Sequence, residues 1–373
     1  MEVSNMKLLQ LRRDDLLRPL QSVAGIVERR HTLPILSNVL IHCRRDAVSL
    51  VATDLEIQIS TAFPANGAAE EHSLTVSARK LQDILRALPE ESDVQLDVQN
   101  NRLQVKAGRS RFNLQILPAA DFPALAAPAD PPAQVHIPQK QLRELLHLVQ
   151  YSMAQQDIRY YLNGLLLAFE DDQIRMVATD GHRLSYAAGA IEGKHEKREV
   201  ILPRKAVQEL VKLLADEDED VEVQIYASQV RFRFGGIELL TKVIDGKFPD
   251  YTRVIPTSYQ KQISLERTTL QQALQRAAIL SNEKFRGVRW MLTANSLRIS
   301  CTNNEQEEAQ EELEVSYSAD ALDVGFNVTY LLDVLNNVQG ERVVCAFGDA
   351  NSSMLMTLPD RPDFRYVVMP MRI

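Results

Sequence analysis

Apolar residues recur along this chain in two rhythms. At helical spacing, Leu16, Leu17, Leu20, Val23 and Val27 share one face and predict an amphipathic helix, with Asp14 or Asp15 as its cap. Leu142, Leu145, Leu146 and Val149 predict another, and Leu270, Ala273, Leu274 and Ala277 another. A partner helix follows each: Leu81, Ile84, Leu85 and Leu88; then Val207, Leu210, Val211 and Leu214; then Leu331, Val334, Leu335 and Val338. Elsewhere the period falls to two. Val94, Leu96 and Val98 alternate with polar residues, stop at Asn100-Asn101 and resume at Leu103 and Val105. Val221, Val223 and Ile225, then Val230, Phe232 and Phe234, run in the same way to a turn at Gly235-Gly236. Antiparallel hairpins with two helices packed on the sheet make an α+β domain.

The pattern is repeated. Val51-Ala52-Thr53-Asp54 returns as Val177-Ala178-Thr179-Asp180, Ala78-Arg79-Lys80 as Pro203-Arg204-Lys205, and Asp121-Phe122-Pro123 as Lys247-Phe248-Pro249. A fainter copy places Ser300-Cys301-Thr302-Asn303 in the Thr-Asp slot. The shift of roughly 125 residues is a domain length, well beyond the ~20–50 residues of a solenoid unit. Three tandem similar domains are therefore expected, over 1–131, 135–258 and 260–373, with Pro118–Pro138 and Pro256-Thr257-Ser258 as linkers and Asp216–Asp220 as a solvated acidic loop.

Composition changes this picture little. With 45% hydrophobic and 25% charged residues the chain reads as ordinary globular protein. No apolar run approaches the ~18 residues of a membrane span, and the N-terminus lacks the pattern of a signal peptide. Cys43, Cys301 and Cys345 lie far apart in apolar or alternating stretches and read as buried free thiols, suited to a reducing cytoplasm. The net charge of -8 argues against a protein that coats nucleic acid through overall positive charge, while leaving room for a local basic surface.

Catalytic patterns do not emerge. The chain has no G-x-x-x-x-G-K-[ST], G-x-G-x-x-G or G-x-S-x-G motif, and its histidines form no zinc pattern. The repeated Thr-Asp ends an apolar alternating strand, where those side chains fix turns through backbone N–H groups. Asn303 in the third copy suits a turn and not a catalytic carboxylate. A metal-dependent hydrolase built on Asp54 and Asp180 is the enzymatic alternative, and a site-specific DNA-binding protein is a further one. Basic residues meanwhile recur at helix ends, as Arg29-Arg30, Arg79-Lys80 and Arg204-Lys205, with Arg159-Tyr160-Tyr161 after the first helix of the second repeat. Such a set suits contact with phosphates without reading of bases.

Several segments carry a family resemblance. They are Thr32-Leu33-Pro34-Ile35-Leu36, Gly108-Arg109-Ser110-Arg111-Phe112, Leu117–Pro123, Arg159–Gly164, Val177–Leu184, Phe248–Tyr251, Ala278–Arg289 and Tyr366–Arg372. In these, in this order, the chain resembles the bacterial DNA polymerase III β subunits, the replicative sliding clamps. The resemblance runs from about Met6 to Ile373, and Met1–Asn5 reads as a short extension or an upstream start.

The resemblance implies a head-to-tail homodimer, a ring with helices lining the hole around duplex DNA and sheets outside. It implies no catalysis, no cofactor and no metal. The implied partners are the replicative polymerase's catalytic subunit, the clamp loader, and other polymerases and repair proteins that carry short linear motifs. It places Arg30, Arg79, Gln156, Tyr160, Tyr161, Arg204 and Lys205 toward DNA. It sets Phe112 and Leu114 of one protomer against Ile279 and Leu280 of its partner, with Lys80, Arg109 and Arg111 facing Glu305, Glu307, Glu308 and Glu311. The implied peptide pocket joins Leu162, Thr179, Gly181, His182, Arg183 and Leu184 to Pro249, Arg253 and Val254, and to Ser353, Val367, Met369, Pro370, Met371 and Arg372. Asn351, where the family has an apolar residue, and Ile373, where it ends in Leu, depart from the pattern and bear on the pocket's shape.

Overall fold

A computed structural model describes residues 6–28, 33–65, 71–126 and 128–372. The first repeat comprises β1 (Met6–Arg12), α1 (Arg13–Ala24), β2 (Asn38–Arg44), β3 (Ala47–Thr53), β4 (Ile57–Pro64), β5 (His72–Ser77), α2 (Ala78–Ala87), β6 (Asp93–Gln99), β7 (Arg102–Ala107) and β8 (Ser110–Pro118). The second runs through β9 (Ala133–Pro138), α3 (Gln139–Val149), β10 (Gly164–Thr179), β11 (Arg183–Pro203), α4 (Arg204–Leu213), β12 (Asp220–Ile225), β13 (Gln229–Phe234) and β14 (Ile237–Lys242). The third holds β15 (Lys261–Glu266), α5 (Arg267–Ala278), β16 (Gly287–Thr293), β17 (Ser296–Thr302), β18 (Glu308–Glu314), β19 (Leu322–Asn327), α6 (Val328–Asn337), β20 (Arg342–Phe347), β21 (Met354–Leu358) and β22 (Arg361–Val368).

These elements form two compact units, and the second repeat is divided between them. Residues 1–139 and 212–243 make the first unit, and 140–211 and 244–373 the second. In the first, β4 pairs antiparallel with β14, which merges strands of repeats one and two into a twelve-stranded sheet. In the second, β11 pairs antiparallel with β22 and continues repeat two into repeat three within a six-stranded sheet. A four-stranded sheet, in the order β18-β17-β16-β19, completes the second unit.

Each predicted helix forms, with shifted ends. Helix α1 buries Leu16, Leu17, Leu20 and Val23, and Ile26 beyond its end is fully buried. Burying such a side chain contributes about 1.5–3 kcal/mol. Val27 lies past the helix and is half-buried. Neither Asp14 nor Asp15 caps it: the cap position is Arg12, and the two carboxylates stand in the first turn, where they oppose the positive end of the helix dipole. The Asn100-Asn101 and Gly235-Gly236 turns both adopt positive φ, as a tight antiparallel hairpin requires. The proposed Pro118–Pro138 linker is shorter than expected. Residues 119–121 form a 3-10 turn, and Ala133–Pro138 is strand β9, paired with β12, because Val135 and Ile137 have a buried face to fill. All three cysteines are free and buried, and burial pushes Cys43 up to about 11 and Cys345 up to about 12.

One device recurs at the start of the first helix of repeats one and three. Arg13 donates from Nε to the carbonyl oxygen of Leu85 at 2.8 Å, at the C-terminal end of α2. Arg267 does the same for α6, from Nε to the Gly340 carbonyl at 3.1 Å and from Nη1 to the Leu335 carbonyl at 3.2 Å. In the middle repeat Gln139 stands at this position but in the opposite sense: its Oε1 accepts from the Ala215 N–H, just past α4, at 3.1 Å. The C-terminal end of a helix leaves carbonyls without partners inside the helix, so in repeats one and three the first helix supplies donors that the second lacks. Replacing Arg13 by Met should lower stability by about 1–3 kcal/mol, read as an earlier urea midpoint at unchanged slope. An unmoved midpoint would show that water serves those carbonyls equally well.

Candidate functional site

The Thr-Asp motif builds the same turn in the two repeats that carry it, and the Thr-Asn of the third builds one a residue longer. After β3, the Thr53 hydroxyl donates to the Ile57 carbonyl at 2.8 Å, and Asp54 Oδ1 accepts the N–H groups of Glu56 and Ile57 at 3.0 and 2.8 Å. After β10, the Thr179 hydroxyl donates to the Arg183 carbonyl at 2.6 Å, and Asp180 Oδ1 accepts from His182 and Arg183 at 2.9 and 3.0 Å. In the third copy Asn303 Oδ1 accepts from Glu305 and Glu307. Both aspartates are thus occupied as turn acceptors, the role that the local pattern predicted.

The 179–183 turn organises the candidate pocket. Gly181 has φ +89°, a backbone conformation that favours glycine, and a Cβ there would stand 2.9 Å from the tip of the Arg159 side chain, which would have to shift. Arg159 grips Asp157 with Nε and Nη2 at 3.0 and 2.9 Å and reaches the Asp180 carbonyl at 3.3 Å. That grip holds the Asp157 carboxyl down at about 2. On the other side, the Met369 N–H donates to the His182 carbonyl at 2.9 Å, and Leu184 pairs with Val367 across β11 and β22. Leu184 and Val367 belong to one buried cluster with Phe248, and Ile255 and Leu355 pack on it. Leu162 is buried, while Val254 and Met369 are about half exposed, leaving apolar surface at the rim. His182, Pro249 and Arg253 are exposed, and Arg253 pairs with Asp250 at 2.9 Å. Ser353 precedes Met354, which pairs with Val368, and the Met371 N–H bonds the Gly325 carbonyl at 2.8 Å. Pro370 and Met371 are partly buried and Arg372 is exposed. Asn351 lies in the exposed turn before β21.

Sequence reasoning missed the floor beneath this surface. Arg183 lies against the rings of Tyr151 and Tyr330 and pairs with Asp333 of α6, 150 residues away. Burial works against its charge, but the Tyr366 hydroxyl, Asp333 and Asp180 outweigh that and hold its pKa above the usual guanidinium value. No local pattern marks these partners, since they come from distant strands and a helix.

The candidate DNA-facing residues fall on both units. Arg79 is exposed in the first turn of α2. In the second unit, Gln156 (φ +55°) and Tyr160 (58% exposed) project from one loop. Tyr161 stacks edge-on against Tyr160. Arg204 is partly spent inside the fold, its Nη1 donating to the Met153 carbonyl at 2.8 Å, and Lys205 follows it in α4. Arg30 and Ile373 lie outside the described residues.

The candidate seam residues divide in the same way. In the first unit Arg109 and Arg111 are exposed at the start of β8, Phe112 is half-buried, Leu114 is buried, and Lys80 is exposed on α2. In the second, Ile279 is 77% exposed and Leu280 half-buried. Glu305, Glu307 and Glu308 are exposed beside them, and Glu311 is already held by Arg276 at 2.7 and 2.9 Å. Phe285, six residues beyond Ile279, is a further large apolar side chain left 57% exposed, and it was absent from the sequence-based set.

Comparison with known proteins gives this repeated α+β domain its class, the DNA-clamp fold. The sequence models of the N-terminal, central and C-terminal domains of the DNA polymerase III beta subunit match residues 6–126, 136–250 and 252–372. The beta sliding clamp of Pseudomonas aeruginosa is 45% identical over 97% of this chain and 99% of its own length, and that of Escherichia coli K12 is 44% identical over 97% and 98%. A crystal structure of the Pseudomonas aeruginosa clamp bound to griselimycin superposes with a TM-score of 0.94 at 44% identity, covering 98% of this chain and 99% of that one. The Caulobacter crescentus clamp, solved with polyethylene glycol at a putative beta-motif tethering region, gives 0.93 at 38% identity, covering 99% of both chains. The chain belongs to the DNA polymerase III beta subunit family. Its function is that of a DNA sliding clamp, a processivity factor with no catalysis of its own. This sets aside both the hydrolase and the site-specific DNA-binding alternatives. Among the described residues, no helix is long and apolar enough to cross a membrane.

The turn assignment of Asp180 can be checked on the purified protein. Asp180→Ala removes an acceptor of two backbone N–H groups and should cost about 1–3 kcal/mol, whereas Asp180→Asn, which keeps Oδ1, should retain most of that stability. Equal losses in urea unfolding would contradict the turn role.

Proposed function

We propose that two copies of this chain close head to tail into a ring around duplex DNA, and that its partners are held in the pocket around the 179–183 turn. The observation that carries the ring is internal. Strand β4 of repeat one pairs with β14 of repeat two, and β11 of repeat two pairs with β22 of repeat three. By the repeat spacing, β4, β11 and β18 are equivalent, and so are β8, β14 and β22. The same junction is therefore made twice within the chain, and β18 and β8 are the equivalents left over. Among the described residues, strand β18 is a sheet edge, and over Ser110–Gln115 β8 has a ladder partner only in β7. An open edge is a template for another strand, and here the charges match: Arg109 and Arg111 flank one edge, and Glu308, Glu312 and Glu314 line the other. Exposed Ile279 and Phe285, with Leu280, Phe112 and Leu114, supply the apolar centre that a stable interface needs.

In this reading the three domains take the bounds 1–131, 135–258 and 260–373. Lys80 and Glu305, Glu307 and Glu311 border the seam. Arg30, Arg79, Gln156, Tyr160, Tyr161, Arg204 and Lys205 face the phosphates, where local positive charge acts despite the net -8. The polymerase's catalytic subunit, the clamp loader, and other polymerases and repair proteins bind through short linear motifs. Their apolar anchors would meet Leu162, Leu184, Val254, Val367 and Met369.

Replacing Ile279 and Leu280 by Ala should give folded monomers on size exclusion, since a few central apolar residues dominate an interface of roughly 1,200–2,000 Å². An unchanged dimer would move the seam elsewhere.

Retention on DNA should be topological. Simple phosphate binding weakens steeply with salt through counterion release. Protein loaded on a nicked circle should instead survive moderate salt and leave when the circle is linearised. Release that is indifferent to linearisation would exclude encirclement.

A further inference from the structure

Within the proposed pocket, the family resemblance sets Arg183 beside Arg253 and Ser353 as polar groups that could orient a peptide backbone or carboxylate. Its surroundings argue otherwise. The side chain is 9% exposed. Nε donates to Asp180 Oδ2 at 3.1 Å, Nη1 to Asp333 Oδ2 at 2.5 Å, and Nη2 to the Tyr151 carbonyl at 2.8 Å. The guanidinium carbon stands 4.5 Å from the centre of the Tyr330 ring. His182, its neighbour in the turn, stacks on the same ring at 6.4 Å with 23° between planes.

We propose that Arg183 is a positioning residue: it ties the 179–183 turn to α6 through Asp333 and Tyr330, and so sets the spacing between the walls of the pocket without itself touching the peptide. This rests on the reading of that surface as a peptide pocket. The mechanical consequence follows from what hangs on the turn. His182 carries the Met369 backbone through its carbonyl, and Leu184 carries Val367 through strand pairing. On the other side of the tie, α6 supplies Tyr330 and Asp333. A planar fork that reaches two carboxylates and a carbonyl while lying on a ring fixes distance and angle together, which a lysine ammonium cannot do. Removing either partner leaves the other charge poorly compensated in a confined site, so the turn and the helix should reseat.

The test is a double-mutant cycle on the full-length protein. The probe is a fluorescein-labelled peptide carrying the clamp-binding segment of the polymerase catalytic subunit, followed by anisotropy. Arg183→Lys and Asp333→Asn should each weaken binding about tenfold, and the double variant should be little worse than the weaker single, because both remove one tie. Wild-type affinity in Asp333→Asn beside weakened Arg183→Lys would overturn the proposal and make Arg183 a direct contact. Additive losses, or no loss in either variant, would also overturn it. Met369→Asp separates this from the pocket reading: if that variant binds the peptide normally, the pocket itself is misplaced. If Asp333→Asn does not fold, Asp333→Glu takes its place. Its displaced carboxylate should weaken binding several-fold, and an unchanged Kd would overturn the proposal.

Discussion

A β-strand whose edge lies open presents a row of N–H and C=O groups that must find partners, and the architecture of this chain follows from how that requirement is met. Two of its repeat boundaries are closed by strand pairing, β4 with β14 and β11 with β22. Each pairing buries an edge and extends a hydrophobic face at once, so the second repeat is drawn half into each neighbour. This is why the compact units do not coincide with the sequence repeats. The unit of duplication is a domain of about 125 residues, whereas the unit of packing is a domain and a half. Among the described residues, the strands left over carry opposite charge: β18 is an edge lined by glutamates, and the half of β8 without a second partner carries Arg111, with Arg109 just before it. A protein that left both edges bare would invite unspecific association.

The parts of the fold that depend on local chemistry were legible in the sequence, and those that depend on distant partners were not. The Asn100-Asn101 turn and the Thr-Asp turns could be read directly, because each is a short-range bond between a side chain and backbone a few residues away. The helices could be read because their apolar faces repeat at helical spacing. Strand β9 was lost in a proline-rich stretch, since its pairing with β12 comes from residues some 85 positions on. The bonds by which Arg13 and Arg267 complete the second helices span about 70 residues and leave no local trace. The candidate site follows the same division. Gly181 and Asp180 announce themselves, whereas the Arg183–Asp333 tie joins residues 150 apart and became visible only with the fold. Phe285 could have been found: an aromatic residue between Lys284 and Arg286, outside any apolar rhythm, is out of place unless something covers it.

Family membership accounts for a chain of 373 residues without catalytic motifs. A clamp needs a stable frame, a surface compatible with phosphates and a docking place, and each makes a separate demand on the sequence. The frame uses nested caps and edge pairing. The phosphate surface needs only a few positive groups, because screening confines their field to about 10 Å and an acidic exterior does not cancel it. The docking place needs apolar rim residues on a rigid floor, and in the proposed pocket that floor would be Arg183, held by two carboxylates and two aromatic rings.

Ring formation turns on closure of the two leftover edges by a second copy. The most direct measurement is the native mass of the purified protein over a wide concentration range, by native mass spectrometry and sedimentation equilibrium. A closed ring should give a species of twice the 42.1 kDa chain that persists on dilution, with no larger open oligomers, since closure leaves no edge to extend. A monomer of 42.1 kDa at all concentrations, or a ladder of growing oligomers, would contradict it.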